Sequence, residues 1–450
     1  MGKRRILYLP IETKARELLG KTLLAARAVE RGWIVVFGAR AETLKFMQEG
    51  PVGAYIEISL PESKAAILEQ LKKSGHRIFN LCEESLNYLS GRDYCFQMLG
   101  LGPLKWVDKL LVLGPKNAEH IHAFRQQFAH KIAITGNPRF DTLLPELRGV
   151  YEARAKSIRK RYGRFLLVNT NFGSINGYKL PTGIFELMKG RGMIIDEEHA
   201  GFVRRQVEYE ERKSHGLRTL LTQIAISGSV NRIVMRPHPS EDHNAARQWA
   251  APLNIEVVFE GTANEWMLAA EAVLHPSCTT GIEGLLLGRP VFSYIPESDN
   301  EFICLSDKVS QRTTCAAEFI EQLSEIRSLG PDEMLGRFAK QRGEIDSVIA
   351  NVKLPLAADL ILNELEQFDL PDVTLSQVSL SNWSVVSKLR VKMRKWAEKD
   401  PPRPGARNLQ KLPSVPVSEL RASLNQWIKA DILAGMPRIT AFNDRLCVWH

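Results

Sequence analysis

Two His-Pro dipeptides, His238-Pro239 and His275-Pro276, lie 37 residues apart, and their neighbours could bind a phosphate group. Arg236 comes just before the first dipeptide, so a guanidinium and an imidazole would lie together at one strand end. The second dipeptide leads into residues 277–283 (SCTTGIE), whose hydroxyls and amides would lie at a helix start, where anions bind. The two motifs therefore predict a site for the phosphate of a nucleotide-activated substrate.

Each of these groups also has an ordinary structural explanation. His238 could bond a nearby carbonyl in a turn, and the hydroxyls of residues 277–280 could serve as helix caps. Glu283 could complement the helix dipole or hold a ribose diol. His275 could either contact the ligand directly or support the residues that do.

A third polar turn, Asn169-Thr170-Asn171, directly follows another apolar run. It could contact the same ligand, or it could be a strand-to-helix turn in which asparagine tolerates unusual backbone angles. The predicted donor-binding residues are Asn169, Thr170, Asn171, Arg236, His238, Pro239, Ser277, Thr279, Thr280, Gly281 and Glu283.

Carboxylates in the first half of the chain could supply a base or a nucleophile. Glu83 and Glu84 follow the apolar run 77–81, where a carboxylate could activate a hydroxyl, although surface glutamates at helix starts are also common. The candidate catalytic residues are Glu83, Glu84 and His238. Two other polar strand ends could contact an acceptor or be ordinary turns, and their candidate residues are Glu12, Lys14, Arg16, Asn137 and Arg139.

Several motifs of other chemistries are absent from the sequence. It has no Walker A motif, no GxGxxG after a strand, no HExxH and no DxD triplet that would hold a divalent metal on a nucleotide-sugar. We therefore expect an enzyme that needs no metal and no cofactor. The six cysteines are scattered without a CxxC pair, which favours a reducing, cytoplasmic compartment.

The elements that must position these residues alternate between strand-like and helix-like runs. Such alternation is typical of parallel sheets covered by helices on both faces. The predicted fold class is α/β, with two Rossmann-like domains facing a cleft and a helical basic C-terminal tail. The predicted domains are 1–148 on the acceptor side, 149–366 on the donor side, and 367–450 as a basic extension.

The positive charge is concentrated in the last part of the chain. Residues 383–450 hold 13 Lys and Arg against 5 Asp and Glu, within a chain whose net charge is +9. Residues 383–399 read as a basic amphipathic helix, which could lie on the anionic inner membrane or pack on the body with its basic face in solvent. We expect no nucleic-acid partner, since no recognisable binding fold accompanies the charge.

Several strings resemble one known family. Residues 12–17 (ETKARE), 135–141 (TGNPRFD) and 169–172 (NTNF) resemble the bacterial surface carbohydrate biosynthesis proteins over about residues 4–365. More distantly, the His-Pro motifs are similar to those of GT-B glycosyltransferases that use CMP-activated keto-sugars in capsule and lipopolysaccharide synthesis. The Asp-Glu-Glu-Gly motif of the surface carbohydrate biosynthesis proteins reads Cys-Glu-Glu-Ser at residues 82–85 of this chain.

The resemblance implies that His238-Pro239, Ser277 and Thr279 bind the CMP portion of a donor, and that an acidic residue of the N-terminal domain is the base or nucleophile. It also implies a GT-B-like fold. We therefore expect a glycosyltransferase of surface polysaccharide synthesis that takes a nucleotide-sugar as its substrate and acts on a glycan or lipid-linked acceptor. Its location would be cytoplasmic, peripheral to the inner membrane if residues 383–399 bind there. The alternatives are a UDP-sugar 2-epimerase-like isomerase and a non-catalytic GT-B module that binds nucleotide-sugar or glycan.

Overall fold

The computed structural model describes residues 4–176, 183–190, 194–297, 301–330, 336–378 and 414–450, together with residues 333 and 412. The predicted basic helix 383–399 lies outside the described residues. The chain divides into two compact units. The first unit comprises residues 1–85, 97–150 and 348–450, and the second comprises residues 86–96 and 151–347.

The first unit is built on a sheet of eight described strands in the order β13-β14-β2-β1-β3-β4-β5-β6. Strands β1 to β6 pair in parallel, and β14 adds to β2 in the antiparallel direction. The bounds are β1 (Ile6–Ile11), β2 (Ile34–Ala39), β3 (Ala54–Glu57), β4 (Arg77–Leu81), β5 (Lys109–Val112), β6 (Ile132–Ile134), β13 (Ile439–Asn443) and β14 (Leu446–Trp449).

The first strands are continuous apolar runs because both faces of this sheet are covered. Every residue of β1 and β2 is buried, as expected for parallel strands between two layers of helices. These strands are the ones that the apolar runs of the sequence predict.

The C-terminal residues complete the first sheet. A helix is present at Val417–Lys429, and a hairpin of β13 and β14 follows it and pairs with β2. Trp449 is fully buried at the end of β14, and Gly38 of β2 lies so close to Arg445 that a Cβ there would approach the Arg445 carbonyl oxygen to 2.1 Å. Residues 414–450 thus pack into the first unit, whereas the sequence analysis places them in a separate extension.

The second unit is built on a fully parallel sheet of described strands in the order β12-β11-β10-β7-β8-β9. The bounds are β7 (Leu166–Asn169), β8 (Ile233–Arg236), β9 (Glu256–Val257), β10 (Ala272–His275), β11 (Val291–Tyr294) and β12 (Gln311–Thr313).

Helices connect almost every pair of successive parallel strands, which gives each unit the βαβ pattern of a Rossmann-like domain. The predicted α/β class with two Rossmann-like sheets is confirmed. The α-helices are Lys14–Glu30, Arg40–Glu49, Ala65–Lys73, Gly91–Met98, Leu101–Trp106, Pro115–Phe124, Pro138–Asp141, Gly149–Tyr162, Gly183–Gly190, Glu197–Ser227, His243–Ala250, Ala263–Ala269, Thr280–Leu286, Leu305–Lys308, Ala316–Ser328, Ala339–Asp346, Ala357–Glu366 and Val417–Lys429.

Candidate functional site

Three of the predicted polar turns lie at the same edge of the second sheet. They follow β7, β8 and β10, and β7 lies between the other two strands. Because all three strands are parallel, their carboxyl ends meet at one edge, which is where open α/β sheets bind ligands. Strand spacing places the turns after β8 and β10 about 10 Å apart, a distance that a nucleotide's sugar and phosphate can span.

Glu241 joins the turns after β7 and β8. Its buried Oε1 accepts hydrogen bonds from Thr170 Oγ1 (2.7 Å), the Phe172 amide (3.0 Å) and the His238 amide (3.0 Å). Burial raises the pKa of Glu241, and these three hydrogen bonds oppose that increase. Glu241 is not among the predicted site residues, although a carboxylate three positions after His238 is a spacing that can bond back to a turn amide.

The imidazole of His238 is held in one orientation. Its Nδ1 accepts from the Ser240 amide (3.2 Å) and lies 2.6 Å from Ser240 Oγ. A backbone N–H can only donate, so Nδ1 is unprotonated and the proton of the neutral ring lies on Nε2. Gly173 permits this packing, because a Cβ there would lie 2.0 Å from Ser240 Oγ. His238 therefore has the tautomer that can donate to a phosphate oxygen.

Ser277 after β10 has a strained backbone. Its φ is +58°, a left-handed conformation that costs a non-glycine residue about 1–3 kcal/mol. Its carbonyl accepts from the side-chain amides of Asn87 and, at 3.4 Å, Asn171, and its hydroxyl accepts from Lys213 Nζ at 3.1 Å. Three side chains from separate segments thus hold Ser277 in a conformation it does not prefer.

Lys213 is a buried cation that the sequence analysis does not predict. It lies on the helix Glu197–Ser227, and its ammonium bonds Glu210 as well as Ser277. Many other charged residues occupy this helix, so nothing in the sequence distinguishes Lys213 from its solvent-facing neighbours. Only the packing of the helix against the turn after β10 shows that Lys213 belongs to the site.

A buried side-chain amide in this region lacks hydrogen-bond partners among the described residues. Both amide atoms of Asn169, at the end of strand β7, are unpartnered. Asn169 is only 3% exposed. Buried polar atoms are nearly always paired in folded proteins, so such groups are typical of a site whose ligand supplies the missing partner.

Arg236 does not join the predicted phosphate site. Its guanidinium donates to the carbonyls of Glu260 (2.7 Å) and Gly261 (3.2 Å), and burial lowers its pKa to about 10. The predicted phosphate contact is replaced by two carbonyl contacts, because the loop after β9 offers acceptors directly beside the end of β8. This geometry favours a structural role for Arg236, which fixes that loop.

His275 supports the turn after β10 from inside the unit. Its Nδ1 accepts from the Cys278 amide (3.2 Å), and its Nε2 lies 2.8 Å from Ser310 Oγ, which itself donates to the Ser306 carbonyl. Burial lowers the pKa of His275 to about 4, so the ring is neutral at physiological pH. Gly281 is needed beside it, because a Cβ there would lie 2.1 Å from His275 Nε2.

The remaining predicted donor residues surround the same edge. Pro239 is half-buried beside His238, and Thr279 precedes the helix Thr280–Leu286 without capping it through its side chain. Glu283 is half-buried in the first turn of that helix. The structure thus brings together the predicted donor residues with the exception of Arg236, and it adds Lys213, Glu210, Asn87 and Glu241.

In the first unit, Glu83 belongs to a sealed ionic cluster. Lys21 Nζ lies 2.9 Å from Glu17 Oε2 and 3.5 Å from Glu83 Oε1, and all three side chains are buried. Although burial alone would raise the pKa of Glu17, Lys21 and Arg16 hold it below its ordinary value. Asn137 Nδ2 donates to Glu83 Oε2 at 3.0 Å, so both oxygens of Glu83 are occupied.

Glu84 is the accessible carboxylate of the pair. Its side chain is 53% exposed, against 1% for Glu83, and its Oε1 accepts from Arg16 at 3.1 Å. The other predicted acceptor-side residues point in different directions. Glu12 is half-buried and lies 3.9 Å from Arg40, and the ammonium of Lys14 bonds Glu419 of the C-terminal helix at 2.6 Å.

Asn137 and Arg139 brace the loop that carries the two glutamates. Asn137 Oδ1 accepts from the Arg139 amide at 3.0 Å, and the Arg139 guanidinium donates to the Glu83 carbonyl at 3.2 Å. Gly20 allows the helix Lys14–Glu30 to pack here, because a Cβ would lie 2.5 Å from the Arg139 nitrogen. These residues are therefore placed to position the loop 82–85.

Across residues 4–378 and 412–450 with their gaps, no group of three or more His, Cys, Asp or Glu is arranged to hold a metal ion. Metal independence stays a prediction. In the part of the chain that is described, no helix combines the length and the apolar character needed to cross a membrane.

No protein-family model matches the chain, and no curated protein matches it. Among solved structures, two variants of the wall teichoic acid polymerase TagF are similar to it. One carries a His-to-Asn change (12% identity, 81% of this chain and 89% of that chain covered, TM-score 0.50) and the other a His-to-Ala change (12%, 81% and 88%, 0.50). A UDP-GlcNAc 2-epimerase of Methanocaldococcus jannaschii with UDP-GlcNAc and UDP matches at 11% identity, 81% and 100% coverage and a TM-score of 0.48. The likeness to the polymerase confirms the predicted GT-B-like fold class.

Proposed function

We propose that the protein is a GT-B glycosyltransferase that moves a sugar from a nucleotide-activated donor during the synthesis of a bacterial surface polymer. The unpartnered amide of Asn169, between the turns that carry His238 and Ser277, is the observation on which this proposal rests. A polar ligand that fits between those turns would satisfy the amide and reach both motifs. The TagF neighbours, named as wall teichoic acid polymerases, act in the same class of polymer synthesis.

The second unit supplies the donor site in this proposal. The Nε2–H of His238 donates to the phosphate oxygen that leaves with the nucleotide, and Ser277 donates to another oxygen of the same group. Donors fixed in advance toward a developing negative charge stabilise it without reorganising. The donor is proposed to be a CMP-activated keto-sugar, from which the bond between the anomeric carbon and the phosphate oxygen breaks and CMP departs.

The first unit supplies the base in this proposal. Glu84 accepts the proton of the acceptor hydroxyl as that oxygen bonds the anomeric carbon. Glu83 does not fill this role, because Lys21 and Asn137 occupy its two oxygens and its side chain is sealed from solvent. The acceptor is proposed to be a glycan or a lipid-linked glycan.

The test is sugar transfer by the purified full-length chain, with panels of CMP-sugars, UDP-sugars and a CDP-polyol. His238→Ala and Glu84→Gln are each expected to lower turnover at least about 100-fold, the usual effect of losing one preorganised donor or one general base. His215→Ala is the matched control, because His215 is exposed on the helix Glu197–Ser227. Full activity of His238→Ala with the best donor would overturn the assignment.

The same assay separates the two rival functions. An epimerase would change the configuration at C2 of a UDP-sugar with no acceptor present. A non-catalytic binding module would bind CMP or UDP and turn over none of the donors. Either result would replace the proposed transfer reaction.

A further inference from the structure

We infer that Lys213 is a positioning residue of the donor-phosphate site, where it acts through the hydroxyl of Ser277 and supplies the positive charge that the sequence motif assigned to Arg236. This inference rests on the proposed function, because it presumes a donor phosphate at the turn after β10.

The contacts of Lys213 fix the direction of the Ser277 hydroxyl. The buried ammonium donates to Ser277 Oγ at 3.1 Å, and it has no acceptor capacity of its own. The serine oxygen therefore uses one lone pair toward Lys213 and keeps its own O–H for a different acceptor. A phosphate oxygen is the acceptor that this arrangement suits.

The strained backbone of Ser277 indicates that this orientation is maintained at a cost. A φ of +58° is unfavourable for serine, yet Asn87 and Asn171 hold its carbonyl and Lys213 holds its hydroxyl. Strain that several separate segments hold in place is concentrated at functional sites. The unpartnered Asn169 amide at the end of the neighbouring strand independently indicates a missing polar ligand.

Lys213 is a buried cation in contact with Ser277, so it can provide the positive charge that an anion at this point needs. Arg236, the cation of the motif, donates to the carbonyls of Glu260 and Gly261. Lys213 is paired with Glu210. Burial and the nearby Asp307 raise the pKa of Glu210, and the positive charge of Lys213 opposes that increase. An arriving phosphate would therefore compete with Glu210 for Lys213, and Glu210 can take up a proton when it loses that partner.

Isothermal titration calorimetry with CMP and with cytidine, which lacks the phosphate, tests the inference on the full-length chain. Lys213→Met combined with Glu210→Gln removes both members of the pair, so no buried charge is left without its partner. We expect this double variant to bind CMP at least about 10-fold more weakly, as for the loss of a charge-assisted contact, and cytidine equally well. Glu210→Gln alone should bind CMP several-fold more tightly.

Two controls distinguish a positioning role from a structural one. Lys156→Met removes an exposed lysine of the second unit, and the affinity of this variant for CMP should equal that of the wild type. In a Ser277→Ala background, the Lys213→Met/Glu210→Gln change should weaken CMP binding by much less than 10-fold, because the Ser277 hydroxyl through which Lys213 acts is already absent.

The outcomes separate the inference from the proposed function. Wild-type protein that binds CMP, together with a double variant that binds it equally tightly, would overturn the role of Lys213 and leave the proposed function standing. An equal loss of CMP and cytidine binding would overturn it too, since it would show a general structural defect. A wild-type chain that binds neither CMP nor any nucleotide-sugar would overturn both.

Discussion

Replacing Lys21 with methionine should destabilise the first unit strongly, because Lys21 is the cation at the centre of the buried cluster. Its side chain is 2% exposed and lies between the carboxylates of Glu17 and Glu83, which are sealed from solvent. Methionine fills similar space without charge, so both carboxylates stay buried without their shared partner. Arg16, 3.4 Å from Glu17, remains as a partial counter-charge.

Breaking a buried ion pair by removing one partner costs about 3–5 kcal/mol, and we expect Lys21→Met to fall in that range. Glu83→Gln should cost less, about 1–2 kcal/mol, because glutamine still accepts from Asn137 and Lys21 keeps Glu17. The Lys21→Met/Glu83→Gln double variant should be about 0.5–3 kcal/mol more stable than the sum of the two single effects predicts, because Lys21 and Glu83 contact each other.

Urea unfolding followed by circular dichroism and tryptophan fluorescence gives these free energies, with the two units' transitions analysed separately. Lys73→Met is the matched control: its side chain is 70% exposed, and its loss should change stability by less than about 0.5 kcal/mol. A cost below about 1 kcal/mol for Lys21→Met would refute the reasoning, since it would show that water reaches the cluster and that Glu83 is accessible.

Three further predictions concern the second unit and the C-terminal hairpin. Ser277→Gly should be about 1 kcal/mol more stable than Ser277→Ala in thermal or urea unfolding, because both variants lose the hydroxyl that bonds Lys213 and only glycine adopts the positive φ without strain; equal stabilities would contradict the strain. His275 has a pKa lowered to about 4, so its contribution to stability is present above about pH 6.5 and is lost as the pH falls toward 4. Between pH 6.5 and 5.5 the free energy of unfolding of the wild type should therefore fall by about 1 kcal/mol more than that of His275→Gln. Parallel profiles of unfolding free energy against pH would show that the ring is not sealed from water. Deleting residues 439–450 removes β13, β14 and the buried Trp449, so the truncated chain should unfold or precipitate at 37 °C. A truncated chain that unfolds at the same temperature as the wild type would show that the hairpin is dispensable.

The strands and the turns that follow them were predictable because their signals are local. The run Ile6–Ile11 and the short runs before Asn169, His238 and His275 are apolar, and polar residues or proline end each of them. Parallel strands in one sheet then imply that these turns meet at one edge, whatever the order of the strands. The location of the donor-side candidates at that edge therefore followed from the sequence.

The C-terminal strands were missed for a physical reason. Leu446–Trp449 (LCVW) is as long and as apolar as β10, but no local signal links it to β2, the distant strand against which it is buried. Pairing partners distant in sequence are not encoded in the local pattern of apolar residues.

The roles of individual charged side chains were decided only by tertiary packing. Arg236 and Lys213 are both long cations, yet Arg236 binds the carbonyls of the loop after β9, and Lys213 reaches Ser277 from a helix 64 residues earlier in the chain. Glu83 and Glu84 are neighbours in sequence, but one enters the cluster around Lys21 and the other faces solvent. The sequence by itself determined which residue types follow each strand. The fold decided which of them are sealed and which are presented, because a side chain's partner depends on whichever acceptor or charge the surrounding elements bring within about 3 Å of it.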